Sequence, residues 1–220
     1  MKKIISFLLA VGTCLSVSAT LMACNEEQEP NDTTPDTTPE IVAFNGVSEE
    51  QWNAMLDLAN FDNYTLTESQ SGVYAGTAMQ NDSVFKVAGD KASVDTTVDG
   101  THLGIKIYTG EEAIAQKNSY EQIYRALLAD FDHFTYDSEE KIYKTTERVT
   151  VDIAMEIYQM SAVIEMENAK VKLSDDGKLL HFECDAKQTT TTPEGTVVAT
   201  FHANWIFSDY GTTVITETAE

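Results

Sequence analysis

Hydrophobic and polar positions follow two periods along this chain, and the switches between them divide it into elements. Trp52, Met55, Leu56 and Ala59 recur at helical spacing, and Ser48-Glu49-Glu50-Gln51 before them has the spacing of a capping box. This predicts a short amphipathic helix with its apolar stripe turned to a core. From Asn63 the period drops to two. Tyr64 and Leu66, then Val73 to Met79, Val84 to Ala88, Ala92 to Val98 and Leu103 to Ile107 alternate along short runs. Ser71-Gly72, Asn81-Asp82, Gly89-Asp90 and Asp99-Gly100 stand between them as turn signals. The pattern predicts five strands in an antiparallel meander. Many of its inward positions are small or polar, which suits a curved sheet with something laid against it better than a dense sandwich.

A helical period returns after Gly110. Glu111 to Asn118 predicts a turn or two, and Ser119 is placed to cap a second helix carrying Tyr120, Ile123, Tyr124, Leu127, Leu128 and Phe131 on one side. Lys141 to Val149 reads as strand. In Val149 to Ala162 the strict alternation of Val149, Val151, Ile153, Met155 and Ile157 competes with the helix-favouring Ala154-Met155-Glu156, and alternation favours a strand through Ile157. Val163 to Leu173 and Lys178 to Thr189 form a hairpin about Ser174-Asp175-Asp176-Gly177. Thr191 to Gly195 turns the chain again, and Thr196 to Ser208 is the last long strand, with Val197, Ala199, Phe201, Ala203, Trp205 and Phe207 on one face.

The amino end has neither period. Lys2 and Lys3 precede an apolar run from Ile4 to Val17, shorter than the roughly 20 residues needed to span a bilayer as a helix. Residues 1–23 therefore read as a secretory signal peptide. Leu21-Met22-Ala23-Cys24 resembles the lipobox of bacterial lipoproteins, which implies that the Cys24 sulfur takes a diacylglyceryl group and that Cys24 becomes the first mature residue. Each buried acyl methylene contributes about 0.8 kcal/mol, so two or three chains hold a protein at a membrane where one does not. The alternative is an ordinary cut near Ala19 or Ala23. Residues 24–44 follow as a tether: Asn25 to Glu40 contains acids, threonines and three of the four prolines, and no large apolar side chain. Such a segment cannot bury enough surface to offset the entropy of ordering it, so a disordered spacer is expected before a single globular domain over 45–220. The acids directly after Cys24 resemble the export signals of surface-displayed lipoproteins, which implies a lipid-anchored place in the bacterial cell envelope, at the outer membrane or cell surface.

Charge narrows the partners. The chain has 36 acidic and 14 basic residues and a formal charge of −22, and loss of the leader removes two lysines and no acids, leaving −24. That charge argues against nucleic acid as a partner of the folded domain. Cys14 leaves with the leader and Cys24 is acylated, so Cys184 stands alone with no disulfide available; on its strand it shares a face with Leu180, Phe182 and Ala186, as a small buried hydrophobe would. His102, His133, His181 and His202 are scattered without metal-ligand spacing. Asp130, Asp132, His133, Asp137, Glu139 and Glu140 crowd together but lack the glycine turn and spacing of an EF-hand loop, and read as a solvated connection. No nucleophile elbow, paired zinc motif or phosphate loop is present, so no catalytic residue, metal or cofactor is assigned and an enzyme is not expected.

Several features together resemble one family. An amphipathic helix leads into a strand over Trp52 to Leu66, the meander contains Lys86-Val87-Ala88-Gly89-Asp90-Lys91-Ala92, Asp175-Asp176-Gly177-Lys178-Leu179 makes a hairpin, and the chain closes with Phe207-Ser208-Asp209-Tyr210-Gly211-Thr212-Thr213. This is similar to the LolA/LppX-like lipoprotein group. The resemblance implies an α+β fold: a strongly curved antiparallel sheet, an unclosed β-barrel, with helices packed on its concave side. It also implies a hollow for an apolar ligand, a lipid or acylated molecule, lined by Trp52, Met55, Leu56, Tyr124, Leu127, Leu128, Phe201 and Trp205. The expected partners are thus a membrane, through the acyl chains, and an apolar ligand. The alternative expectation is a surface-exposed interaction protein that recognises a protein or glycan and holds no internal ligand.

Overall fold

The computed structural model describes residues 46–56, 62–155, 160–193 and 195–217; the leader, Cys24 and the tether expected over 24–44 lie outside them. The elements run α1 (Glu49–Met55), β1 (Asn63–Tyr74), β2 (Thr77–Ala88), β3 (Lys91–Val98), β4 (Thr101–Thr109), α2 (Glu111–Leu127), a 3-10 turn (Phe131–His133), β5 (Phe134–Asp137), β6 (Ile142–Thr145), β7 (Val149–Met155), β8 (Met160–Leu173), β9 (Leu179–Thr192) and β10 (Gly195–Ser208). The strands join into one antiparallel sheet in the order β4-β3-β2-β1-β10-β9-β8-β6-β5, with β7 also paired to β8. β1 is placed beside β10, so the first and last long strands meet at the middle. The sheet is curved and unclosed. Helix α2 touches β3 and β4 near one end of the strand order and β7 near the other.

The capping box forms as the spacing predicts: the Ser48 hydroxyl accepts from the Gln51 amide at 3.2 Å and the Gln51 side chain accepts from the Ser48 amide at 2.9 Å. The meander differs from expectation. It has four strands rather than five, because Ser71-Gly72 and Asn81-Asp82 lie inside β1 and β2, where Gly72 pairs with Met79 and Asn81 with Gln70. The turn is Ala75-Gly76, with φ of 50° and 82°, the two positive values a tight hairpin needs. Polar punctuation misled here because the inner face of these strands is itself polar.

Helix α2 also departs from the two-piece reading. It runs unbroken through Asn118 and Ser119. Ala113, Gln116, Tyr120, Ile123, Tyr124 and Leu127 keep one inward stripe across that pair, so burial overrides the weak helix preference of Asn and Ser. Within the acidic run read as a connection, Phe134–Asp137 forms a short strand paired to β6. The alternation of Val149 to Met155 does form a strand, while 156–159 lie outside the described residues. β8 begins at Met160, earlier than Val163.

Inward parity changes within β8. Ala162, Ile164 and Met166 are buried on even numbers, Ala169 and Val171 on odd, because a bulge at Asn168, φ 53°, inserts one residue between the Glu167↔Asp185 and Lys170↔Glu183 pairs. A second irregularity at Lys172/Leu173 buries Leu179, whereas Leu180, expected beside Phe182, is half-buried. The closing phrase also has a structural role. Asn63 and Thr213 exchange two hydrogen bonds at 3.1 and 2.7 Å, and the Tyr210 hydroxyl donates to the Leu179 carbonyl at 2.6 Å, so the tail ties β1 to β9.

Candidate functional site

Seven of the eight residues expected to line a hollow, Trp52, Met55, Leu56, Tyr124, Leu127, Leu128 and Trp205, are buried in one core cluster. α1 and α2 supply four of them, Leu56 and Leu128 directly follow the two helices, and β10 supplies the seventh. Trp52 is fully buried against Phe134 and Tyr143, with ring centroids 4.9 and 5.0 Å away, and its Nε1–H donates to the Leu128 carbonyl at 2.8 Å. Tyr124 lies edge-on to Trp205 and Phe207 at 5.3 and 5.2 Å, and Tyr120 stacks on Phe85 at 4.2 Å. Apolar burial on this scale contributes about 1.5–3 kcal/mol per large side chain and makes this end of the inner face a packed floor.

Phe201 lies apart from the other seven. Its neighbours on the inner face are Gly72, Ala186 and the ring of Tyr74, parallel to it at 5.8 Å and 8°. Around this pair, towards the β1–β2 turn, Gln70, Met79, Asn81, Val98, Gln188 and Val197 on the inner face are half-buried, while Ala186, Thr190 and Ala199 beside them are buried. The inner face thus has a filled end and an open end. Gly72 lets β10 approach closely at Phe201, since a Cβ there would lie 2.1 Å from the Thr200 carbonyl and 2.6 Å from the Phe201 Cα.

Between the two ends sits a residue the sequence reading missed. Glu68, on the inward parity of Tyr64 and Leu66, is buried; its Oε1 accepts from Trp205 Nε1 at 2.9 Å and from Gln70 Nε2, and its Oε2 accepts from the Ser83 hydroxyl at 3.0 Å. Burial pushes the carboxyl above the ordinary carboxylate range, and the donors from Ser83, Trp205 and Gln70 pull it part of the way back. The Tyr74 hydroxyl donates to Gln70 Oε1 at 3.0 Å, so a hydrogen-bonded chain runs from the open end to the buried acid. The available signal was a charge at an inward position of an otherwise alternating run.

The outer face carries a cleft of about 580 Å³. Two neighbouring cross-strand rows form its walls: Ser71, His202, Asp185 and Glu167 on one side, Val73, Thr200, Lys187 and Glu165 on the other. The chain at Gly72, Phe201 and Ala186 lies between them, and Arg148 closes one end through Glu165 at 3.5 Å and Glu167. Its charges are mostly paired among themselves, as in the His202–Asp185 contact of 3.0 Å and the Lys187–Glu165 contact of 3.2 Å.

Cys184 is buried, and burial with help from Asp185 and Glu183 pushes its thiol up to about 12. Among the described residues, no three His, Cys, Asp or Glu side chains converge as a metal site requires, the acidic run at 130–140 included.

No protein-family model matches the chain, and no curated protein matches it. Neither comparison supports the LolA/LppX-like resemblance. Among solved structures the chain is similar to an S-type phycobiliprotein lyase from Guillardia theta, at 7% identity and a TM-score of 0.33, over 77% of this chain and 98% of that one.

Proposed function

We propose that this chain is a non-enzymatic lipoprotein, anchored to the bacterial cell envelope through acylated Cys24, whose curved sheet holds an apolar ligand at the open end of its hollow. The observation that carries the reading is the division of the inner face. Trp52, Tyr120, Tyr124 and Leu128 plug one end of the concave side, while the stacked Tyr74 and Phe201, with Met79 and Val197, leave a half-buried apolar surface at the other. Transfer from water drives an acyl chain or similar body onto such a surface, and the plugged end gives it a fixed floor. In this reading Phe201, of the expected lining residues, touches the ligand, and the others support the floor.

The outer cleft favours a second reading, a surface-exposed protein that recognises a protein or glycan there. Its paired charges suit a polar partner and not a lipid. Two experiments separate the readings. Native mass spectrometry of the full chain carrying Cys24→Ser, made in a bacterial host, is expected to show a co-purifying apolar molecule; a ligand-free mass that stays unchanged on addition of lipid would remove the first reading. Growth with radioactive palmitate is expected to label the unaltered chain and leave the Cys24→Ser chain unlabelled.

A further inference from the structure

Glu68 is a buried carboxylate served by three neutral donors, and no Lys, Arg or His among the described residues pairs with it. Removal of a charged group from water is costly unless the charge is matched. Facing it from α2, Tyr120 brings a hydroxyl and no positive charge. Four residues before Tyr120, on the same face of α2, Gln116 is also buried, and its Oε1 has no hydrogen-bond partner among the described residues. The interior between α2 and the β1–β2 hairpin is thus rich in acceptors, and no cation pairs with Glu68 there among the described residues.

We propose that Glu68 anchors the ammonium end of an amphiphilic amine whose apolar body lies on Tyr74 and Phe201. This rests on the reading that the open end of the hollow takes an apolar molecule, and it gives that molecule a head group. The route is the chain from Tyr74 through Gln70 to Glu68. Rotation of the Gln70 amide away from Oε1 vacates an acceptor position, and an ammonium N–H fills it, exchanging one donor for another while supplying the missing positive charge. The Gln70 carbonyl remains beside it as a second acceptor. A carboxylate-headed chain of the same length would bring a like charge to Glu68, and a hydroxyl-headed one would bring a donor without a charge.

The test uses the full chain carrying Cys24→Ser, titrated with dodecylamine and with dodecanol below their micelle concentrations, with tryptophan emission as the readout because the Trp205 indole is bonded to Glu68. The expected result is a preference for the amine of about tenfold that persists in 0.5 M NaCl, where charges on the outer surface are screened. Glu68→Gln is expected to bring the amine to the level of the alcohol. Equal affinities in the unaltered site would overturn the anchor and leave the hollow reading intact. A preference that collapses with salt, or survives Glu68→Gln, would assign it to the acidic surface and also overturn the anchor. Binding of neither probe would remove the hollow reading and the anchor with it. If Glu68→Gln does not fold, the salt series on the unaltered site decides.

Discussion

Glu68 and Trp205, 137 residues apart in sequence, are joined by a buried hydrogen bond of 2.9 Å from the indole Nε1–H to the carboxylate Oε1. It spans the β1–β10 pairing, where Glu68 and Trp205 are direct partners, at the boundary between the packed floor and the open end of the hollow.

The first prediction concerns the acid. Its folded pKa is raised, so the folded state holds the proton more tightly than the unfolded chain does. Stability contributed by this group is therefore greatest at low pH and falls as pH rises from the ordinary carboxylate value through the folded value. Glu68→Gln should flatten that part of the pH profile in denaturant titrations at pH 4 to 8. Its amide can still accept from Trp205 and Gln70 and donate to the Ser83 hydroxyl. Glu68→Ala leaves those three donors unpaired and should cost about 2–4 kcal/mol.

Gly72 is required by close approach. Gly72→Ala forces Thr200 and Phe201 to move and should cost about 1–3 kcal/mol in chemical denaturation. It should also weaken binding at the open end, because Phe201 is the residue displaced.

Trp52 fixes the floor. Trp52→Ala should cost about 3–5 kcal/mol, while Trp52→Phe keeps much of the ring packing and loses the bond to the Leu128 carbonyl, for about 1–2 kcal/mol. The difference in unfolding midpoint between the two variants measures how much of the floor is ring volume.

Cys184 should be silent. In a chain whose Cys14 and Cys24 are serine, a thiol reagent at pH 8 should react only after denaturant is added, since the thiol is buried and pushed up to about 12. Rapid reaction of the folded protein would place Cys184 at an accessible surface.

The β9–β10 hairpin was legible where its inner face is apolar at every second position: Phe182, Cys184, Ala203, Trp205 and Phe207 fall where alternation puts them. The β1–β2 hairpin was not, since Glu68, Gln70, Asn81 and Ser83 are polar and face inward, and polar residues read as turns. The Ala75-Gly76 turn was hidden because Ala rarely adopts a positive φ. Asn168 could not be read as a bulge because the parity change it causes is visible only against Asp185 and Glu183 on the partner strand. Of the apolar residues at the open end only Phe201 was expected as lining, and Tyr74, Met79 and Val197 were not, because sequence does not separate residues that fill a core from those that border a hollow. Only pairing with Gly72 and Tyr74 sets Phe201 apart from the rest.

The claim that the open end of the hollow is the ligand site is tested most directly by photo-crosslinking. The full chain carrying Cys24→Ser is irradiated with a diazirine-bearing alkyl chain and the adducts are mapped by peptide mass spectrometry. Adducts concentrated on the peptides that contain Tyr74, Met79 and Phe201 are the predicted result. Adducts confined to the outer cleft about Arg148 and Lys187, or spread evenly over the surface, would contradict it.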